Sequence, residues 1–391
     1  MSGEEGLQDK ILFTPGPLST SMSVKRAMLH DYGSRDSKFM HTVLSIHEKL
    51  LRIAGCDPET FAVILMQGSG TFGVEAVLSS VFPPSIFFSP TADPLQPKLL
   101  ILINGAYGER MASMAKTHRI PYLPVSFKED TVVDPSRIAP ILIEHPSITH
   151  IAIVHCETTS GIMNPVTEVG QAIADVRASH PERSLVYIVD AMSSFGAVPI
   201  DLNASQIDYL VSSSNKCIQG CPGFSLILAR LAHLAQIEGY SRTLSLDIYA
   251  QWKTFVATRQ FRFTPPTHAL LAFHQALQEL EDEGGVEARA ARYRENNRII
   301  IEGLSSLGFV AYLKPEVQGH IISTFSYLSH EGFDFPIFYE KLNNRNCVIY
   351  PGKLTQADCF RIGNIGNLFP DDMRWFLTCV SEVLREMNVI A

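Results

Sequence analysis

Lys216 stands in the stretch YLVSSSNKCIQGCPG, after an apolar strand-like run and before a bend rich in glycine and proline. A surface lysine needs no such setting. A lysine in a partly desolvated pocket has a lowered pKa and becomes a nucleophile toward a carbonyl. A lysine that only forms a salt bridge fits the same spacing. Asp190 closes the run YIVD, 26 positions earlier (216 − 190). A carboxylate there is costly unless it meets a cation or hydrogen-bond donors, so it either pairs with a ligand or caps the following turn. Gly68, Ser69, Gly70 and Thr71 lie between an apolar run and a helical pattern. Such a turn offers an anion its free N–H groups and the positive end of a helix dipole; it also suits a plain turn. It is neither a Walker motif nor G-x-G-x-x-G. Tyr107, between Gly105 and Gly108, either stacks on a flat ring or packs into the core.

The four features together describe one ligand: a flat ring bearing a phosphate, a cationic nitrogen and an aldehyde. Pyridoxal phosphate has all four. An aspartate keeps its pyridine nitrogen protonated, so that the ring accepts electrons, and a lysine holds its aldehyde covalently.

The elements that must position these residues are legible from periodicity. FAVILMQ, LLILIN, HIAIVH, LVYIVD and DYLVSS are short, apolar and rich in branched residues. Helical patterns such as VLSIHEKLLRIAG, TFGVEAVLSSVF and EVGQAIADVRAS separate them. Buried strands alternating with helices predict an α/β fold with a mostly parallel sheet covered on both faces. In such sheets ligands bind beyond the carboxyl ends of the strands, where all four features fall. After Thr264 the character changes. THALLAFHQALQELEDEGG and VEARAARYRENNRIIIEGLSSLG read as long helices; IISTFSY and CVIYPG read as strands, and MRWFLTCVSEVLREM as a last helix. This predicts a smaller α+β domain. The expected division is an N-terminal arm over 1–20 that joins the small domain, a large domain over 21–275 and a small domain over 276–391. The proline-rich stretch from Val81 to Lys98 reads as a surface insertion.

The bulk numbers bound the class. A chain of 391 residues with 46% apolar and 18% charged residues is folded and large enough for two cores. A net charge of −8 argues against a nucleic-acid surface. The N-terminus MSGEEGLQDK resembles neither a secretory signal nor a transit peptide, and no apolar run reaches the length of a membrane span. Seven cysteines without a repeating spacing predict free thiols in a reducing compartment, so the expected location is cytoplasmic. Cys217 and Cys221 are not C-x-x-C, and no Cys/His group has zinc spacing, so no metal is expected.

Several segments carry a further resemblance: LFTPGPLSTS, LMQGSGTFGVEAVL, NGAYGERM, HIAIVHCETTSGIMNP, YIVDAMSSFGAVPID, DYLVSSSNKCIQGCPGF, SRTLSLDIYAQW, FRFTPPTHALLAF and VIYPGKLTQADCFRIGNIG. From Leu12 to Gly366 the chain resembles the class V aminotransferases of fold type I, which use pyridoxal phosphate. SSSNKCIQGCPGF, LSLDIYAQW and DCFRIGNIG resemble the subgroup that acts on 2-aminoethylphosphonate and pyruvate. The resemblance implies a large domain with a sheet of the seven-stranded type, and a role for each matching residue. Lys216 carries the cofactor and Asp190 pairs with its ring nitrogen. Tyr107 stacks on the ring, and Thr158 hydrogen-bonds near the ring hydroxyl. Ser69, Gly70, Thr71 and Asn215 hold the phosphate, with Thr264 reaching it from the second subunit of a homodimer. Arg361 binds the substrate's acidic group, and Gly16 lines that pocket. The rivals are alanine–glyoxylate or serine–pyruvate transamination, a lyase or desulfurase of the same fold, and a non-catalytic relative.

Overall fold

The computed structural model describes residues 9–85, 96–352, 354 and 358–390. Seven strands form the central sheet: β1 Phe61–Gln67, β2 Lys98–Ile103, β3 Tyr122–Ser126, β4 Ile148–Val154, β5 Val186–Asp190, β6 Tyr209–Ser213 and β7 Phe224–Arg230. Their spatial order is β1-β7-β6-β5-β4-β2-β3. Every pairing is parallel except those of β7, which runs antiparallel to both β1 and β6. Six strands therefore share one direction and deliver their carboxyl ends to one edge.

Side chains alternate between the faces of a strand, and the core divides accordingly. Val63, Leu65, Leu100, Ile151 and Val189 belong to one apolar cluster; Ala62, Ile64, Leu99, Ala152 and Ile188 belong to the other. Both faces are covered, so the strands read as continuous apolar runs. Helices α1 (Ser37–Ile53), α4 (Val166–Ser179) and α5 (Thr267–Glu283) cover the first face, while α2 (Gly70–Ser80) and α3 (Ala106–Thr117) cover the second. The α1 helix begins where the Asp36 carboxylate accepts the Lys38 N–H at 2.8 Å, an N-cap. The α5 helix ends at Gly284, whose φ of +106° is the left-handed conformation of a helix stop.

Helix α6 (Gly285–Ser306) leads into a second layer with β8 (Ile322–Ser326), β9 (Tyr350–Pro351), β10 (Cys359–Gly363) and helix α7 (Pro370–Glu386). The order β8-β10-β9 is antiparallel throughout. Ile300, Leu304, Phe325, Phe360, Phe376 and Val380 form its separate core. The N-terminal segment is part of this layer. Ile11–Leu12 pairs in parallel with Cys347–Val348, and the Phe13 ring lies 4.4 Å from that of Phe376. From this anchorage the chain passes back to the central sheet at Gly16.

Of the proline-rich stretch, residues 86–95 lie outside the described residues. All seven cysteines are free thiols. Among the described residues no helix is long and apolar enough to cross a membrane, and no acidic, histidine and cysteine cluster could hold a metal.

Candidate active site

The strand ends surround a cavity of about 210 Å³. Nine of the eleven residues singled out in the sequence line it: Gly16, Ser69, Gly70, Thr71, Tyr107, Thr158, Asp190, Asn215 and Lys216. Each arrives on a different piece of the scaffold. Ser69–Thr71 join β1 to α2, and Tyr107 lies in the first turn of α3 after β2. Thr158 follows a short strand after β4, Asp190 ends β5, and Asn215 and Lys216 follow β6.

The Lys216 side chain is half-buried, and desolvation pushes its ammonium below the ordinary lysine value. Its Nζ donates to the Pro15 carbonyl, and no carboxylate forms an ion pair with it among the described residues. Gly16 makes room for it. A Cβ at Gly16 would lie 2.4 Å from Lys216 Nζ, and the φ of +122° already disfavours any side chain there. The loop beyond the lysine is held from α6: the buried Arg289 donates from Nη1 to the Cys217 carbonyl at 2.9 Å.

Asp190 is buried, and its Oδ1 accepts the Met192 N–H at 2.9 Å. No cation pairs with it among the described residues. Burial pushes its carboxyl up to about 7, and the nearby Glu157 adds to the rise; the Met192 N–H, Arg110 and Lys216 oppose it. This carries a prediction for the cofactor-free protein. The folded value lies above the ordinary 3.8, so the folded state binds the proton more tightly. Stability is therefore full below about 3.8 and is lost as pH rises toward about 7. Asp190→Asn removes that loss. Urea unfolding of both cofactor-free proteins should move in favour of Asp190→Asn between pH 5 and pH 8, by up to about 1.4 kcal/mol per unit. Parallel stability curves would show that the carboxylate is not desolvated.

Ser69 caps α2 in an extended conformation without a side-chain cap hydrogen bond. The helix start thus keeps donors for an anion. The turn is tightly packed: a Cβ at Gly70 would lie 2.0 Å from Met192 Sδ.

Two residues not singled out in the sequence belong to the site. Glu157 is fully buried; its Oε1 accepts the Thr159 hydroxyl at 2.6 Å and the Thr159 N–H at 3.1 Å, and its Oε2 accepts the Tyr107 N–H at 3.2 Å. Burial pushes its carboxyl up. It fastens the Tyr107 turn to the Thr158 segment. Arg110 lines the cavity itself. Its Nη1 donates to Thr71 Oγ1 at 3.0 Å, and its guanidinium lies 4.7 Å from the centre of the Tyr107 ring. Arg110 was readable in NGAYGERM, because residues three apart on a helix share a face. Glu157 gave no comparable signal, since its partners are backbone N–H groups and a neighbouring hydroxyl.

Arg361 does not line the cavity but stands directly behind it. It lies on β10, 2% exposed, with Nη1 donating to the Thr158 carbonyl at 3.0 Å and Nε to the Pro351 carbonyl at 3.1 Å. Neither partner is charged, and Nη2 has no hydrogen-bond partner among the described residues. Burial lowers its pKa. Thr264 is elsewhere. It is exposed, its carbonyl accepts from Gln67 Nε2, and it lines a separate polar cleft with Arg35 and Arg262.

Residues 109–353 match the model of the family Aminotransferase class-V. The chain belongs to the class-V aminotransferases. It is 46% identical to a 2-aminoethylphosphonate–pyruvate transaminase of Phocaeicola vulgatus over 96% of this chain and 99% of that protein. It is 45% identical to one of Syntrophobacter fumaroxidans over 97% of both. A bifunctional phosphonoacetaldehyde hydrolase/aminoethylphosphonate transaminase of Clostridioides difficile is 45% identical over 93% of this chain and 55% of its own length. Solved structures agree on the fold. Pyridoxamine–pyruvate aminotransferase of Mesorhizobium loti superposes with a TM-score of 0.83 at 22% identity, over 97% of this chain and 93% of that one. Ureidoglycine–glyoxylate aminotransferase of Bacillus subtilis gives 0.85 at 20%, over 99% and 95%.

Class-V aminotransferases depend on pyridoxal phosphate, and this cavity fits it. A buried carboxylate without a cation, a half-buried, desolvated lysine without a carboxylate and an open helix N-terminus match the ring nitrogen, the aldehyde and the phosphate.

Proposed function

We propose that the chain transfers the amino group of 2-aminoethylphosphonate to pyruvate, giving phosphonoacetaldehyde and alanine. The observation that carries the reading is Arg361. A buried guanidinium without a carboxylate partner, hydrogen-bonded to the cavity wall at Thr158, is costly unless it receives an anion. Its planar fork suits a carboxylate and also a phosphonate. Donor and acceptor each carry one acidic group, so one arginine serves both halves. The names of the relatives that match nearly the whole chain support the same substrates.

Ser69, Gly70, Thr71 and Asn215 would hold the cofactor's phosphate, Tyr107 its ring, Thr158 its ring hydroxyl and Asp190 its nitrogen. When bound, the protonated cofactor ring withdraws electrons from the substrate's Cα. Lys216 is both anchor and proton carrier. Its lowered pKa keeps a larger neutral fraction, so its Nζ would take the proton from the substrate's Cα and later give one back. Asp190 would hold the ring nitrogen in its protonated form. Gly16 leaves Lys216 the space to move.

The working unit is a homodimer, in which the partner's Thr264 reaches the phosphate. In a single chain Thr264 is exposed, and around it Phe72, Leu244 and Phe263 are 50%, 75% and 46% exposed, an apolar surface suited to a second subunit. Seven free thiols fit a cytoplasmic location.

A donor screen tests the reading. Purified enzyme with pyruvate should form alanine rapidly from 2-aminoethylphosphonate and poorly from serine or taurine. A higher kcat/KM for alanine with glyoxylate would replace the proposed substrates with that pair.

A further inference from the structure

We infer that Arg110 is the cation that neutralises the cofactor's phosphate, acting together with the Thr71 hydroxyl. A phosphate monoester carries about −1.5 to −2 charge at pH 7. A helix N-terminus offers the equivalent of only about +0.5. Hydroxyls and backbone N–H groups donate hydrogen bonds without adding net charge. A dianion on this partly buried floor therefore needs a full positive charge close by. Lys216 is committed to the aldehyde. Arg361 stands on β10, fastened to the carbonyls of Thr158 and Pro351. Arg110 is the cation that both lines the cavity and touches the anion-binding turn.

The geometry assigns the charge to the phosphate end. Arg110 Nη1 donates to Thr71 Oγ1 at 3.0 Å, so that oxygen acts as the acceptor and its own proton stays free for a ligand oxygen. Among the described residues Arg110 forms no ion pair with a carboxylate, so its charge is not spent inside the protein. The Tyr107 ring, 4.7 Å from the guanidinium, limits how far the side chain swings. Because Tyr107 and Arg110 share a face of α3, one helix would fix both the ring and the charge of the cofactor.

The inference rests on the cofactor of the class and not on the proposed donor, so its test leaves the donor out. Cofactor-free protein is titrated with pyridoxal phosphate and, separately, with pyridoxal, which lacks the phosphate. Arg110→Met, which keeps an apolar stem against Tyr107, should weaken pyridoxal phosphate about 10- to 100-fold, the loss of a charge-assisted hydrogen bond. It should leave pyridoxal within about twofold. Arg110→Lys should recover part of the loss, since a point charge remains. Thr71→Val, which keeps the arginine but removes the hydroxyl, should also weaken the phosphorylated ligand selectively, by less. Equal weakening of both ligands by Arg110→Met would mean that the side chain only packs on Tyr107 and would overturn the assignment. Unchanged cofactor affinity with a raised KM for 2-aminoethylphosphonate would overturn it too, and would move the charge to the substrate.

Discussion

Lys216→Ala is expected to lose turnover by more than about 10⁴-fold while keeping the fold. A positioned acid–base group alone contributes about 10²–10⁴-fold, and on the proposed reading the same side chain is also the covalent anchor. The fold should survive because, among the described residues, the Lys216 side chain contributes no ion pair and only one hydrogen bond, to the Pro15 carbonyl. Removing a desolvated amine also removes a burial cost. The loss should therefore appear as an absent visible band and absent alanine formation, with an unchanged circular dichroism spectrum. The pocket should still take up cofactor weakly through its phosphate contacts. An added primary amine should restore a small part of the proton transfer, because the space beside Gly16 is then open. Borohydride reduction of the loaded wild-type protein, followed by peptide mass spectrometry, should find the cofactor on Lys216. Label on any other lysine would remove the central assignment.

The parts legible in the sequence share one physical property: a local cause. Strands buried on both faces show as apolar runs, so β1, β2, β4, β5 and β6 were readable, and the alternating helices implied the direction of the sheet. Residues at strand ends could be placed in one site because that topology gathers carboxyl ends at one edge. Two strands of the central sheet escaped. β3 is an edge strand carrying Pro124 and shows mostly half-buried or exposed side chains, so it lacks the run that marks its neighbours. β7 is as apolar as the rest, yet its antiparallel pairing with both β1 and β6 is set by the bend at Cys221–Gly223 and by tertiary partners. Glu157 was missed because one of its partners, the Tyr107 N–H, lies 50 positions away and others are only the N–H and hydroxyl of neighbouring Thr159. The place of Arg361 behind Thr158 depends on the small layer folding back across 203 positions, and no local pattern encodes that. Recognition of NGAYGERM and FRIGNIG as segments marked the right neighbourhoods; the contacts themselves required three dimensions.

Arg361→Ala should reduce kcat/KM for both 2-aminoethylphosphonate and pyruvate. A charge-assisted pair lost from a closed site is worth roughly 2–5 kcal/mol, on the order of 30- to several-thousand-fold. The cost to the free protein should be smaller than for a buried ion pair. The substitution leaves two backbone carbonyls, those of Thr158 and Pro351, short of a donor, and strands no carboxylate. Arg361→Lys should rescue only in part, because an ammonium cannot hold the Thr158 carbonyl, the Pro351 carbonyl and an acidic group in one plane. Cofactor binding should persist, since Arg361 stands behind the wall that Thr158 forms and not on the phosphate floor. Single-turnover spectra separate the halves: donor alone with the loaded enzyme, then pyruvate with the amine form. Slowing of both by similar factors is the expected result. If only the pyruvate half slows, a different cation receives the phosphonate, and the Arg361 fork belongs to the carboxylate alone. Arg110 would then be the group to examine, because it is the other guanidinium within reach of the cavity, and the pyridoxal comparison would already have shown whether its charge is held by the cofactor.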